Sequence, residues 1–67
     1  MIDARGLSCP QPVLLVQRFV KANKPELVEV VVDHEAAVQN ITRYANSQGY
    51  CVDKAADGDD TKLTLRK

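Results

Sequence analysis

Cys9 is the residue of this 67-residue sequence with the clearest chemical potential. It precedes Pro10, Gln11 and Pro12, and Pro10 suits the first position of a helix, where its missing N–H is harmless and its φ is already set. Cys9 would then be the N-cap residue, with its sulfur facing the unpaired N–H groups and the positive dipole end of the helix. A thiol in such a place has a lowered pKa and reacts as the thiolate.

The two prolines restrict which amides could hold a sulfur anion at this position. Because proline donates no N–H, the donors near the sulfur would be those of Gln11 and Val13. A buried, unreactive cysteine is the alternative, since free cysteines are often packed as small hydrophobic residues. The spacing alone leaves both interpretations open.

Hydrophobic periodicity and turn signals predict six elements that must position this cysteine. They are an extended segment at 2–5, a helix from Pro10 to about Ala22, a strand at 27–33, a helix at 35–48 and strands at 50–56 and 61–66. An Asp-Gly pair at 57–58 is a hairpin signal between the last two strands. Right-handed crossovers place both helices on one face of the sheet, so the order βαβαββ predicts a two-layer α/β (α+β) sandwich with a four-stranded mixed sheet. Its second face is expected to be open and charged.

The first helix is expected to be amphipathic. Its predicted apolar stripe contains Pro12, Leu15, Val16 and Phe19, widened by Val13 and Val20. Leu14 falls with Arg18 on the other side of the helical wheel, about one turn from Cys9. We therefore expect an exposed leucine among basic and polar groups, which favours partner docking, although single exposed leucines are also common.

Loop residues at the same sheet edge are the other candidates. Arg5 could steady a sulfur anion or a partner carboxylate, or be a plain surface charge, and Gly6 is expected to adopt a backbone conformation closed to other residues. Because the first two strands are expected to run parallel, His34 shares an edge with Cys9 and could activate its thiol. The favoured interpretation is that Asp33 caps the second helix and that His34 is a solvated loop residue.

Cys51 begins the third strand, between Tyr50 and Val52, which should face the core. Its own side chain is then expected on the open sheet face, far from the edge that carries Cys9. An incidental cysteine is favoured there over a resolving thiol. The two cysteines form no CxxC or zinc pattern, so neither a metal nor a cofactor is expected.

Composition and the lack of certain sequence signals disfavour several classes of function. Nine Lys plus Arg balance nine Asp plus Glu, and the chain has only two tyrosines and one phenylalanine, so direct binding of nucleic acid is disfavoured. No apolar run approaches the ~20 residues of a membrane span. The sequence also lacks an export signal, and its cysteine usage fits a reducing cytoplasm, so a cytoplasmic protein is expected.

The stretch from Asp3 to Pro12, DARGLSCPQP, resembles the signature of the TusA/SirA family. The predicted element order is similar to that family's fold along the whole chain, a sandwich also seen in the C-terminal domain of a bacterial translation initiation factor. The resemblance implies a sulfur carrier that accepts sulfur as a persulfide on the motif cysteine, here Cys9. It also implies a persulfide donor, such as a cysteine desulfurase, and a downstream acceptor protein. A regulatory or protein-binding module without sulfur transfer is the alternative function.

A second stretch, from Val32 through Ile41 and on to Tyr50, resembles the N-terminal domain of YedF-type proteins, which are linked to selenium metabolism. That resemblance implies selenium as a second possible cargo and a DsrE-like domain as a possible acceptor. YedF-type chains continue into such a domain. Two interpretations of residues 1–67 therefore stay open, a single-domain protein and the N-terminal domain of a longer chain.

Overall fold

The computed structural model describes residues 2–7 and 11–67. Its elements are β1 (Ile2–Asp3), α1 (Gln11–Asn23), β2 (Leu27–Val32), α2 (Glu35–Ser47), β3 (Cys51–Asp57) and β4 (Asp60–Arg66). This order confirms the predicted βαβαββ arrangement. The bounds differ from the predicted ones by one or two residues at several ends, as is usual where elements fray.

The sheet is mixed, with the strand order β1-β2-β4-β3. β1 runs parallel to β2, with Ile2 opposite Val30, while β4 is antiparallel to both β2 and β3. These directions bring three connections to one end of the sheet, namely residues 4–7 after β1, 33–34 after β2 and 58–59 between β3 and β4. We call this end the loop edge.

The core lies between the two helices and one face of the sheet. Alternation in β2 and β4 turns Val28, Val30, Val32, Leu63 and Leu65 toward the helices, and all five are buried. Burying each such aliphatic side chain stabilises the fold by roughly 1.5–3 kcal/mol. The helices complete this core with Val16, Val20, Ala37, Val38, Ile41 and Ala45.

The predicted apolar stripe of α1 is wrong at one position. The buried line is Pro12, Val16 and Val20, whereas Phe19 is 38% exposed. The side of α1 that carries Val13 faces α2 across a shared surface groove. The buried line is therefore rotated toward α2 and away from Phe19.

The second sheet face carries the expected charges, with one exception. Glu29 pairs with Lys62 at 3.5 Å, and Asp53 pairs with Arg66 at 3.3 Å. Val31 also belongs to this face, yet it is only 3% exposed, between Asp3 of β1 and Lys62 of β4 in the strand register. The face is thus charged but not fully open. Among the described residues, no helix combines the length and the apolar character that crossing a membrane requires.

Candidate functional site

A hydrogen bond joins two of the three connections at the loop edge. The N–H of Gly6 donates to Oδ2 of Asp33 at 2.7 Å, across 27 positions of sequence. The neighbouring N–H of Ala4 donates to the carbonyl of Val31 at 2.9 Å and extends the β1–β2 pairing by one residue. The segment that leads into the motif is therefore held against the end of β2, as the predicted parallel pairing required.

Gly6 has a φ of 76°, in the left-handed region that residues with a side chain rarely adopt, which agrees with the conformation predicted for it. A Cβ at this position would meet no heavy atom within 4 Å, so the glycine serves backbone conformation and not close packing. The turn that Gly6 makes presents its amide to the carboxylate of Asp33.

Arg5 is held by carboxylates of its own chain. Its Nε and Nη2 donate to the two carboxylate oxygens of Asp3, each at 2.9 Å, and its Nη1 donates to Asp60 at 3.4 Å. The hydrogen bonds from Arg5 lower the pKa of Asp3 to about 2, and the bonds to Asp3 and then to Asp60 raise the pKa of Arg5. An incoming anion would have to bind the remaining guanidinium donors, so an anion-binding role for Arg5 stays a prediction.

Asp33 does not cap α2, and that prediction is wrong. The N-cap residue is His34, which has an extended backbone and makes no side-chain capping bond. Asp33 lies one residue too early, and its carboxylate instead accepts from Gly6 and lies 2.9 Å from Nδ1 of His34. The bond to His34, followed by that to Gly6, lowers the pKa of Asp33. His34 is thus a bonded loop residue, half-exposed, and its catalytic role stays a prediction.

An apolar pocket opens on the exposed side of α1. It has a volume of about 390 Å³ and is lined by Leu7, Gln11, Leu14, Leu15 and Arg18. Leu14 is 40% exposed, which confirms the expectation drawn from the helical wheel. The contribution of Leu7 was missed, because a residue in a loop has no helical or strand periodicity to place it.

Residues 1–67 match the family model of sulfurtransferase TusA. The chain belongs to the TusA family. It is 40% identical over 52 residues to a candidate sulfur carrier protein of Methanocaldococcus jannaschii, a match that covers 76% of this chain and 69% of the relative. The crystal structure of a SirA-like protein from Desulfitobacterium hafniense superposes with a TM-score of 0.86 at 28% identity, covering 97% of this chain and 92% of the other. The TusA/SirA resemblance and the α+β fold are thereby confirmed.

The motif of this TusA-family chain is described from Gln11 onward. Cys9 and Pro10 lie outside the described residues, so the predicted N-cap position of the sulfur stays a prediction. Gln11 is exposed at the start of α1, Pro12 is buried, and Val13 is half-buried against the core. The first turn of α1 contains no acidic residue that would oppose a sulfur anion nearby.

Cys51 lies at the far end of β3 from the loop edge of the TusA-family fold. It is exposed and stands opposite Arg66 in the strand register, on the charged sheet face. This position agrees with the predicted orientation. Within residues 2–7 and 11–67, no group of three or more His, Cys, Asp or Glu side chains is placed to hold a metal ion.

Proposed function

We propose that this TusA-family chain is a sulfur carrier that holds the transferred atom as a persulfide on Cys9 and passes it to a partner protein. The match of the whole chain to sulfurtransferase TusA carries this proposal. The relative from M. jannaschii bears the name of a candidate sulfur carrier, which agrees with it. A thiol carrier of this kind works in the reducing cytoplasm, where thiols stay unoxidised.

The transfer consists of two displacements at sulfur. The Cys9 thiolate attacks the terminal sulfur of a donor persulfide, the S–S bond of the donor breaks, and the donor leaves as a thiolate. A thiolate of the acceptor then attacks the outer sulfur on Cys9. That sulfur moves to the acceptor, the S–S bond to Cys9 breaks, and Cys9 is released as a thiolate. One cysteine suffices because the partners supply the others, and no oxidant or reductant is consumed. A selenium atom would move by the same displacements.

The surface beside the motif supports docking of these partners. Leu14 and Arg18 line an open apolar pocket, and Leu7 in its wall is two residues before Cys9 in sequence. We propose that the pocket receives a side chain of the donor or acceptor while Arg18 contacts a polar or acidic group at the rim. A cysteine desulfurase is the proposed donor. A DsrE-like domain, on this protein or another, is the proposed acceptor.

Intact-protein mass spectrometry tests the carrier function. After incubation with a cysteine desulfurase and cysteine, the wild type should gain the mass of one sulfur atom, and a reducing agent should remove it. Cys9→Ala should lose this gain, and the matched control Cys51→Ala should keep it. If Cys51→Ala abolished the gain instead, Cys9 would not be the carrier residue.

A protein-binding module without sulfur transfer is the second candidate, favoured by the same exposed pocket. It predicts that partner binding survives Cys9→Ala unchanged and that the wild type never gains sulfur mass. Measuring both properties on the same samples separates the two functions.

A further inference from the structure

We propose that Asp33 is a positioning residue for sulfur transfer, holding the loop that leads to Cys9 with one carboxylate oxygen and the ring of His34 with the other. His34 then carries the proton that the reaction must move. This inference rests on the proposed sulfur-carrier function and adds residues that act on the same site.

The bond from Gly6 to Asp33 restrains the approach to the motif. At 2.7 Å from amide nitrogen to carboxylate oxygen, it is a short hydrogen bond to an ionised acceptor, which is about twice as strong as a neutral one. Three peptide units separate Gly6 from Cys9 in sequence, a span of at most about 11 Å. Fixing the backbone at Gly6 therefore limits where the chain can go before α1 begins.

The bond between Asp33 and His34 selects the proton position on the imidazole. Oδ1 of Asp33 lies 2.9 Å from Nδ1 of His34. An ionised carboxylate only accepts hydrogen bonds, so Nδ1 must carry the proton. The lowered pKa of Asp33 keeps that carboxylate ionised at neutral pH. In the neutral ring Nε2 then bears the lone pair, and it forms no hydrogen bond to any side chain or backbone group that the structure describes.

The transfer reaction uses such a proton acceptor wherever Cys9 starts as the thiol and not as the thiolate. That thiol loses a proton before it attacks, and the donor thiolate gains one after the S–S bond breaks. Nε2 of His34 takes the first proton and returns it to the donor sulfur, directly or through a water molecule. The net change is R–S–SH plus Cys9–SH giving R–SH plus Cys9–S–SH, so atoms, protons and electrons balance.

The structure separates this role from helix capping. Asp33 makes no capping bond, since the cap position belongs to His34. Asparagine caps a helix about as well as aspartate, so a capping residue would tolerate Asp33→Asn. The same substitution removes the charged acceptor of the Gly6 amide. It also removes the ionised carboxylate that, by accepting a hydrogen bond, keeps the proton on Nδ1 of His34.

The test compares Asp33→Asn with Asp59→Asn, a matched loss of one carboxylate at the same edge. Asp59 forms no hydrogen bond or ion pair within the described part of the chain. At saturating persulfide donor, the single-turnover loading rate of Cys9 should fall about ten-fold in Asp33→Asn and less than about two-fold in Asp59→Asn. Nitrogen-15 NMR should show the Nδ1–H tautomer of His34 depleted and the Gly6 amide proton shifted upfield in Asp33→Asn alone.

Two outcomes would overturn the inference while leaving the proposed function intact. In the first, the wild type loads sulfur and Asp33→Asn loads it equally fast. In the second, the His34 tautomer in Asp33→Asn is the same as in the wild type. A wild type that never loads sulfur would instead contradict the proposed function.

If Asp33→Asn failed to fold by circular dichroism, His34→Gln would replace it, because it leaves the Gly6–Asp33 bond in place. His34→Gln should also load about ten-fold more slowly, and a wild-type rate would refute the proton-carrying role.

Discussion

Arg5, Asp33 and His34 at the loop edge are paired within the chain, although the net charge of zero gives no hint of it. Asp3 and Asp60 hold Arg5, and Asp33 holds His34 together with the Gly6 backbone. Exposed ion pairs of this kind contribute little to stability in most proteins. Their effect here is positional, because each pair fixes a residue of the segment that leads to the motif or of the loop beside it.

Acid should weaken the Asp3–Arg5 pair in a defined pH window. In the folded protein the pKa of Asp3 is about 2, whereas an unfolded aspartate titrates near about 4. A lowered folded-state pKa means that the pair adds stability above about pH 4 and loses that contribution as the pH falls toward about 2. In urea denaturation, the difference in unfolding free energy between the wild type and Asp3→Asn should therefore shrink from pH 5 to pH 2.

Asp57→Asn is the control for this measurement, since Asp57 has no side-chain partner among the described residues. Its difference from the wild type should stay constant over the same pH range. A constant difference for Asp3→Asn as well would show that the pair does not form in solution.

Helix α1 presents two large hydrophobic residues to solvent, and their directions differ. Leu14 and Phe19 are 40% and 38% exposed. Five residues at about 100° each place them roughly 140° apart around the helix. Leu14 lines the pocket beside the motif, and Phe19 does not. The two residues are similarly exposed but lie on different sides of the helix. Comparing substitutions at both therefore distinguishes partner docking at the pocket from a general effect of surface hydrophobicity.

Leu14→Ala should weaken binding of the sulfur donor, and Phe19→Ala should not. Calorimetric titration with the cysteine desulfurase should show Kd raised about thirty-fold or more by Leu14→Ala, the range of an interface hot spot. Phe19→Ala should change Kd by less than about two-fold. Equal effects of the two substitutions would place the docking surface elsewhere.

The whole molecule depends on a small shared core. The helices and the sheet bury Ile41, Leu63 and Leu65 completely, and β4, which carries two of them, lies in the middle of the sheet between β2 and β3. A domain of this length has a total stability of roughly 3–10 kcal/mol. One large cavity can therefore remove much of it, and with it the geometry of the loop edge.

Leu63→Ala should destabilise the fold far more than Leu27→Ala. Leu63 is fully buried, whereas Leu27 is 58% exposed at the start of β2. Urea denaturation should show a loss of about 2–5 kcal/mol in unfolding free energy for Leu63→Ala. The loss for Leu27→Ala should be about 0.5 kcal/mol or less. Similar losses for both would mean that the leucines are not buried as described.

Local patterns were sufficient for the architecture and for the family. Alternating valines in β2, the Asp-Gly turn and the two amphipathic helices each act over a few residues, and their order predicts one sandwich. The run from Asp3 to Pro12 was sufficient for the TusA/SirA assignment, and the exposure of Leu14 followed from the helical wheel alone. Such features can be predicted from a sequence because the interactions that cause them involve residues close together along the chain.

Three other features depend on how the elements meet. Asp33 has two possible partners, the amides of α2 and the Gly6 amide, and the choice depends on strand pairing between segments 27 positions apart. The exposure of Phe19 follows from the rotation of α1 toward α2, and the burial of Val31 from its neighbours across the sheet. No local pattern predicts these three features, because each depends on contacts that form only after the helices have packed on the sheet.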